Sequence, residues 1–181
     1  SFSAYGQVIR SYYDLIHWRA QAQLRIGDLL QDEGQSETAR QSYFAVLREL
    51  NRVPIWRKRA SDRLLAQIRG PVPEKIKAYQ QIVQEASEFP DLKAEAQLRI
   101  AQSLVDDKQY LQAIREFEQV EAIAPGLIWA QAKSRILQAE VHGLMQDELK
   151  GIYILEDVIE SYHSVEGGVF VQEAEQVLFN L

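Results

Sequence analysis

Apolar residues recur at three- and four-residue spacing along almost the whole chain, and no stretch sustains the alternation of a strand. Between Gln109 and Ala124, Ile114, Phe117, Val120 and Ile123 keep to one side of a helix. Breakers are sparse and evenly placed: Gly34, Pro54, the run Gly70-Pro71-Val72-Pro73, Pro90, Pro125 and Gly167-Gly168. Pattern and punctuation predict about ten helices, at roughly 3–14, 18–32, 36–50, 54–69, 73–88, 91–106, 109–122, 126–144, 147–163 and 168–180. No linker or low-complexity segment interrupts them, so one continuous all-α array is expected. Pro71-Val72-Pro73 is too short for a polyproline ligand and reads as the turn that opens the next helix.

The pattern also repeats. Ala20-Gln-Ala-Gln-Leu-Arg-Ile26 returns 74 residues later as Ala94-Glu-Ala-Gln-Leu-Arg-Ile100, and Asp32, Gln35, Ala39 and Val46 return as Asp106, Gln109, Ala113 and Val120. Self-similarity at a fixed period marks stacked supersecondary units. Half the period is a helix pair. One unit, Ala94 to Leu127, has small Ala101 in its first helix, small Ala113 and aromatic Phe117 in its second, and Pro125 where the next begins. The unit from Ala20 to Val53 has Gly27, Ala39 and Tyr43 in those roles. Small residues let two helices cross closely, and an aromatic fills the wedge to the next pair.

These units resemble the tetratricopeptide repeats, whose helix–turn–helix unit is about 34 residues long. The resemblance implies an α-solenoid of stacked antiparallel helix pairs, a right-handed superhelix with units at about 20–53, 59–92, 94–127 and 132–165, and half-units at 1–14 and 168–181. In that family the first helices of successive units line a concave groove that takes peptide segments. By that resemblance the groove here exposes Leu24, Asp28, Gln31, Asp32, Arg63, Gln67, Leu98, Gln102, Ile136 and Glu140. The Lys/Asn/Arg clamp of chaperone-binding members has no counterpart, because Leu24, Asp28, Leu98 and Gln102 stand near those places. The stretch around Tyr79, Phe89-Pro90 and Ala94–Ala101 is loosely similar to repeats of bacterial envelope proteins. That similarity implies a fragment of a larger periplasmic or envelope protein, with the cytoplasm as the alternative.

Composition changes this picture only at the edges. The net charge of −6 speaks against nucleic acid as the main ligand. There is no cysteine, which excludes disulfides and thiolate metal sites. No apolar run reaches the length of about 18 residues that spans a bilayer, so membrane insertion is not expected. His17, His142 and His163 stand in no zinc-protease spacing, and no phosphate loop or nucleophile elbow occurs. Neither enzyme activity nor a cofactor or metal is expected. Charge is uneven: Arg52, Arg57, Lys58, Arg59, Arg63, Arg69, Lys75 and Lys77 face only Asp62 and Glu74 in their window, which is +6 and leaves the remainder at −12. The first six of these define a basic patch, read either as ordinary surface charge or as the docking site of an acidic protein.

Two further features stay open at this level. Trp18, Trp56 and Trp129 each fall near the start of a first helix, as packing between pairs or as an aromatic strip for a partner. The apolar helix at 168–181 either stacks on a second copy, giving a homo-oligomer, or packs into its own array. The expected function is a non-catalytic protein–protein scaffold. Its alternatives are a structural oligomer and a regulatory domain of a larger enzyme.

Overall fold

A computed structural model describes residues 4–7, 16–49, 53–163 and 168–181. It is all-α, with no strand among the described residues, as the periodicity requires. The helices are α1 (Ile16–Asp32), α2 (Ser36–Glu49), α3 (Pro54–Ala66), α4 (Val72–Glu85), α5 (Pro90–Asp106), α6 (Tyr110–Ile123), α7 (Ile128–Leu144), α8 (Glu148–Tyr162) and α9 (Val169–Asn180). Residues 4–7 are also helical; the rest of the helix expected at 3–14 lies outside the described residues. The expected bounds hold within about three residues, the margin that fraying imposes on any helix end.

The chain divides into two compact units, Ser1–Ile68 and Arg69–Leu181. The division falls inside the stretch 59–92 that the sequence pairs as one repeat. In unit 1, α1 packs on α2, α2 on α3, and α3 touches α1. In unit 2 each helix from α4 to α9 packs on the next, and α5 and α9 also reach α7. Helices packed on their chain neighbours are the arrangement of a helical repeat.

Local chemistry explains the elements. Pro54 and Pro90 open α3 and α5, where a missing N–H costs nothing. The α1–α2, α5–α6 and α7–α8 turns are built alike. Gln35 N–H donates to Leu30 O at 2.8 Å and Gly34 N–H to Gln31 O at 3.0 Å. Gln109 and Lys108 repeat those bonds to Leu104 and Val105, and Asp147 and Gln146 to His142 and Gly143. This is the Schellman closure, and its left-handed residue is Gly34 at φ 78°, Lys108 at 60° and Gln146 at 62°. A non-glycine there costs about 1 kcal/mol.

Close crossings follow the small residues. Ala39, Ala101, Ala113 and Ala139 are fully buried. A Cβ on Gly27 would lie 2.5 Å from Cε1 of Tyr43, and one on Gly151 would lie 3.0 Å from the Ala139 carbonyl oxygen. The wedge position holds Tyr43, Phe117 and Leu155, all at most 2% exposed. Each contributes about 2–3 kcal/mol through burial.

The closing helix α9 turns its apolar stripe inward. Phe170 and Ala174 are buried in the core of Ile136, Ala139, Leu155 and Val158, with Val177, Leu178 and Leu181 packed against it. Tyr162 meets Phe170 edge-on at 6.5 Å. Lys133 pairs with Glu173, and Arg135 with Asp157.

Candidate partner-binding face

The groove expected from sequence needs one correction. Leu24 is 2% exposed, Leu98 6% and Ile136 0%, so none of them lines an open groove. The reason is register. Each stands four residues after a buried alanine (Ala20, Ala94, Ala132) and three before a crossing residue (Gly27, Ala101, Ala139), which is the core stripe. The next position along each helix, at Asp28, Gln102 and Glu140, is the one that reaches solvent.

In unit 1 the structure brings Asp28, Arg63 and Gln67 together with a residue that the sequence assigns only to packing, Tyr43. The Arg63 Nε–H donates to Asp28 Oδ1 at 2.7 Å and Nη2 donates to Oδ2 at 3.3 Å. The Tyr43 hydroxyl donates to the same Oδ1 at 3.0 Å. Arg25 approaches Oδ2 at 3.8 Å. The ring of Tyr43 fits because Gly27 offers no side chain. Burial, reinforced by the Asp28 charge and bond and opposed by Arg63, raises the Tyr43 phenol well above its ordinary value. Gln67 sits close enough to lower it slightly, yet its Nε2 completes no hydrogen bond of good geometry; the buried Oε1 of Gln31 also has no partner.

Two guanidiniums thus share one carboxylate, and the cluster carries a net positive charge. Its members stand on α1 and α3, with Tyr43 behind them on α2. Side-chain exposures of 28% for Asp28 and 34% for Arg63 keep the pair at the surface boundary, where charge-assisted bonds persist and solvent still reaches. Asp32, one turn on, is exposed.

The other predicted positions do not form one site. Within the basic patch, Lys58 pairs with Asp62 at 3.2 Å, and Arg59 stacks on Trp56 with its guanidinium 4.6 Å from the ring centroid. Arg57 is half-buried, Arg69 is exposed in unit 2, and Arg52 lies outside the described residues. In unit 2, Gln102 is half-buried, and Glu140 remains open to solvent, although packing around it raises its carboxyl against the pull of Lys133. Unit 2 also has an open polar cleft of about 310 Å³ between α6, α7 and α8, rimmed by Glu118, Glu121, Arg135 and Gln138.

The tryptophans divide. Trp56 is buried and donates its indole N–H to His17 Nδ1 at 2.7 Å, and Trp129 packs on the unit 2 core, whereas Trp18 is 58% exposed. No cluster of metal-ligating side chains occurs among the described residues, and no helix among them is long and apolar enough to cross a membrane.

The molecule is therefore an all-α protein of helical hairpins with a charged, hydrogen-bonded cluster on one face of unit 1. No protein-family model matches the chain, and no curated protein matches it.

Proposed function

We propose that this chain is a non-catalytic scaffold of tetratricopeptide type, and that the α1–α3 face of unit 1 binds a partner segment bearing carboxylates. The observation behind this reading is the contrast at the 74-residue echo. Asp28, Tyr43 and Arg63 correspond to Gln102, Phe117 and Leu137. The set Gln102, Phe117 and Leu137 is uncharged and occupies the equivalent places on α5, α6 and α7, so charge at these places is not required for folding. Arg25 and Arg63 outnumber Asp28, and an incoming carboxylate completes the balance. The loose similarity to bacterial envelope repeats supports a periplasmic or envelope setting within a larger protein.

The test is selection from a displayed peptide library on the parent chain, followed by titration against Asp28→Gln/Tyr43→Phe/Arg63→Leu, which installs the unit 2 chemistry. Acidic peptides are expected to be selected and to lose at least about tenfold in affinity on the variant. An unchanged melting curve would show that folding is intact. Selected peptides without acidic character, or equal affinity for the variant, would end this reading.

A further inference from the structure

The shared turn geometry places the α1–α2, α5–α6 and α7–α8 hairpins in one register, with Gly34, Lys108 and Gln146 equivalent, and Ala39, Ala113 and Gly151 equivalent. Three solvent-facing positions can then be compared. The first is Asp32, Asp106 and Leu144; the second is Glu37, Leu111 and Leu149; the third is Gln41, Arg115 and Tyr153. In the α7–α8 hairpin all three are large and apolar, with Leu144 57%, Leu149 83% and Tyr153 72% exposed. Phe179, 88% exposed, belongs to the same end of unit 2, because Leu181 of the same terminus lies against Gly143 and Gly151. A single exposed apolar residue, such as Leu111, is ordinary, whereas three at positions that the α1–α2 hairpin fills with Asp32, Glu37 and Gln41 mark a binding surface.

The same surface is acidic. Leu149, Tyr153, Glu156 and Glu160 form one exposed ridge along α8, and Asp147 and Glu148 begin it, with Lys150 the lone base of the helix. The ridge is about 16 Å long, or three helical turns.

We infer that the α8 ridge and the neighbouring α7–α8 turn dock an amphipathic helix of a partner protein, one whose apolar stripe is flanked by Lys or Arg. A straight ridge of i, i+4, i+7 and i+11 side chains fits the groove of another helix. The carboxylates select a cationic partner and repel anionic lipid. It shares no residue with the α1–α3 face of unit 1.

The test uses a fluorescein-labelled peptide of about 18 residues, made of Leu and Lys in amphipathic helical order, followed by fluorescence anisotropy. A shuffled peptide of the same composition and a Leu/Glu amphipath serve as controls. The ordered Leu/Lys peptide should bind at least about tenfold tighter than either control. Leu149→Ser/Tyr153→Ser, and separately Glu156→Lys/Glu160→Lys, should each lose about tenfold, whereas Leu111→Ser should lose nothing. All these positions face solvent, so folding is not at stake. Equal binding of the shuffled peptide, or binding indifferent to Leu149→Ser/Tyr153→Ser, overturns the inference. A concentration-dependent dimer in sedimentation that the same double variant abolishes overturns it in favour of a second copy as the occupant.

Discussion

The α1–α2 hairpin of unit 1 and the α5–α6 hairpin of unit 2 share a turn, a wedge and a crossing, yet they solve the wedge differently. In unit 2, Phe117 and Ala101 are both fully buried, and the Ser134 hydroxyl donates to the Phe117 carbonyl oxygen at 2.7 Å. In unit 1 the wedge ring is a tyrosine, the crossing residue under it has shrunk to Gly27, and the hydroxyl reaches a carboxylate already held by Arg63. The apolar solution gives packing alone. The polar one gives the same packing plus a fixed charge arrangement at the surface. What the hairpins share is the turn, wedge and crossing that folding requires, and what sets unit 1 apart is the charged arrangement of Asp28, Tyr43 and Arg63.

The largest effect should come from breaking the shared part. Ala113→Arg, and equally Ala39→Arg, forces a long cation into a fully buried crossing and should cost more than about 3 kcal/mol. Urea unfolding checks this, and an unchanged midpoint for either variant would show that its crossing is not close-packed in solution. Next, Gly27→Ala should cost about 1–3 kcal/mol, because the added Cβ meets the Tyr43 ring. Combining it with Tyr43→Phe should not restore the loss, since the ring itself is the obstacle.

A smaller effect distinguishes the charges from the packing. Asp28→Leu alone leaves Arg63 without its partner and should destabilise unit 1 by about 1 kcal/mol, a modest figure because both groups reach solvent. The triple exchange to Gln, Phe and Leu should be neutral within about 1 kcal/mol, as replacement of a whole ion-pair cluster by packing residues often is. Calorimetric melts of the two variants decide between these outcomes.

The ordering of helices was legible because it rests on periodicity and on residues whose backbone roles are nearly obligatory, such as Pro54, Pro90 and Gly34. The face each helix turns outward was less so. Leu24 and Asp28 lie one turn apart, and a family resemblance places both on a groove; only the position of Ala20 and Gly27 on the same stripe as Leu24 puts it inside. Tyr43 was legible as a wedge but not as a donor, because its acceptor is distant in sequence. The signal was present in the echo itself, where Tyr43, Asp28 and Arg63 all change together to Phe117, Gln102 and Leu137.

Alkaline pH sharpens the comparison further. Tyr43 and Tyr79 both have phenols raised above 10.0 by burial, and the larger rise is at Tyr43, beside Asp28. A group raised in the folded state contributes stability that is complete below its unfolded value and is lost as pH climbs through the folded one. Stability should therefore fall above about pH 10, and Tyr43→Phe should remove the unit 1 share of that fall while leaving the Tyr79 share. Thermal melts across pH 9 to 12 test this, and identical alkaline slopes for parent and variant would contradict it. The smallest expected effect is a gain of about 0.5–1 kcal/mol on Lys108→Gly or Gln146→Gly, which relieves the left-handed turn that Gly34 already occupies without cost.

Within each unit a helix touches the next helix in the chain or the next but one. Such contacts close short loops, and proteins built from them reach the native state in microseconds to milliseconds because little chain entropy is lost before contacts form. On the ribosome this means that α1 and α2 can complete their hairpin while α7 to α9 are still being synthesised, so that apolar faces are covered in the order in which they emerge.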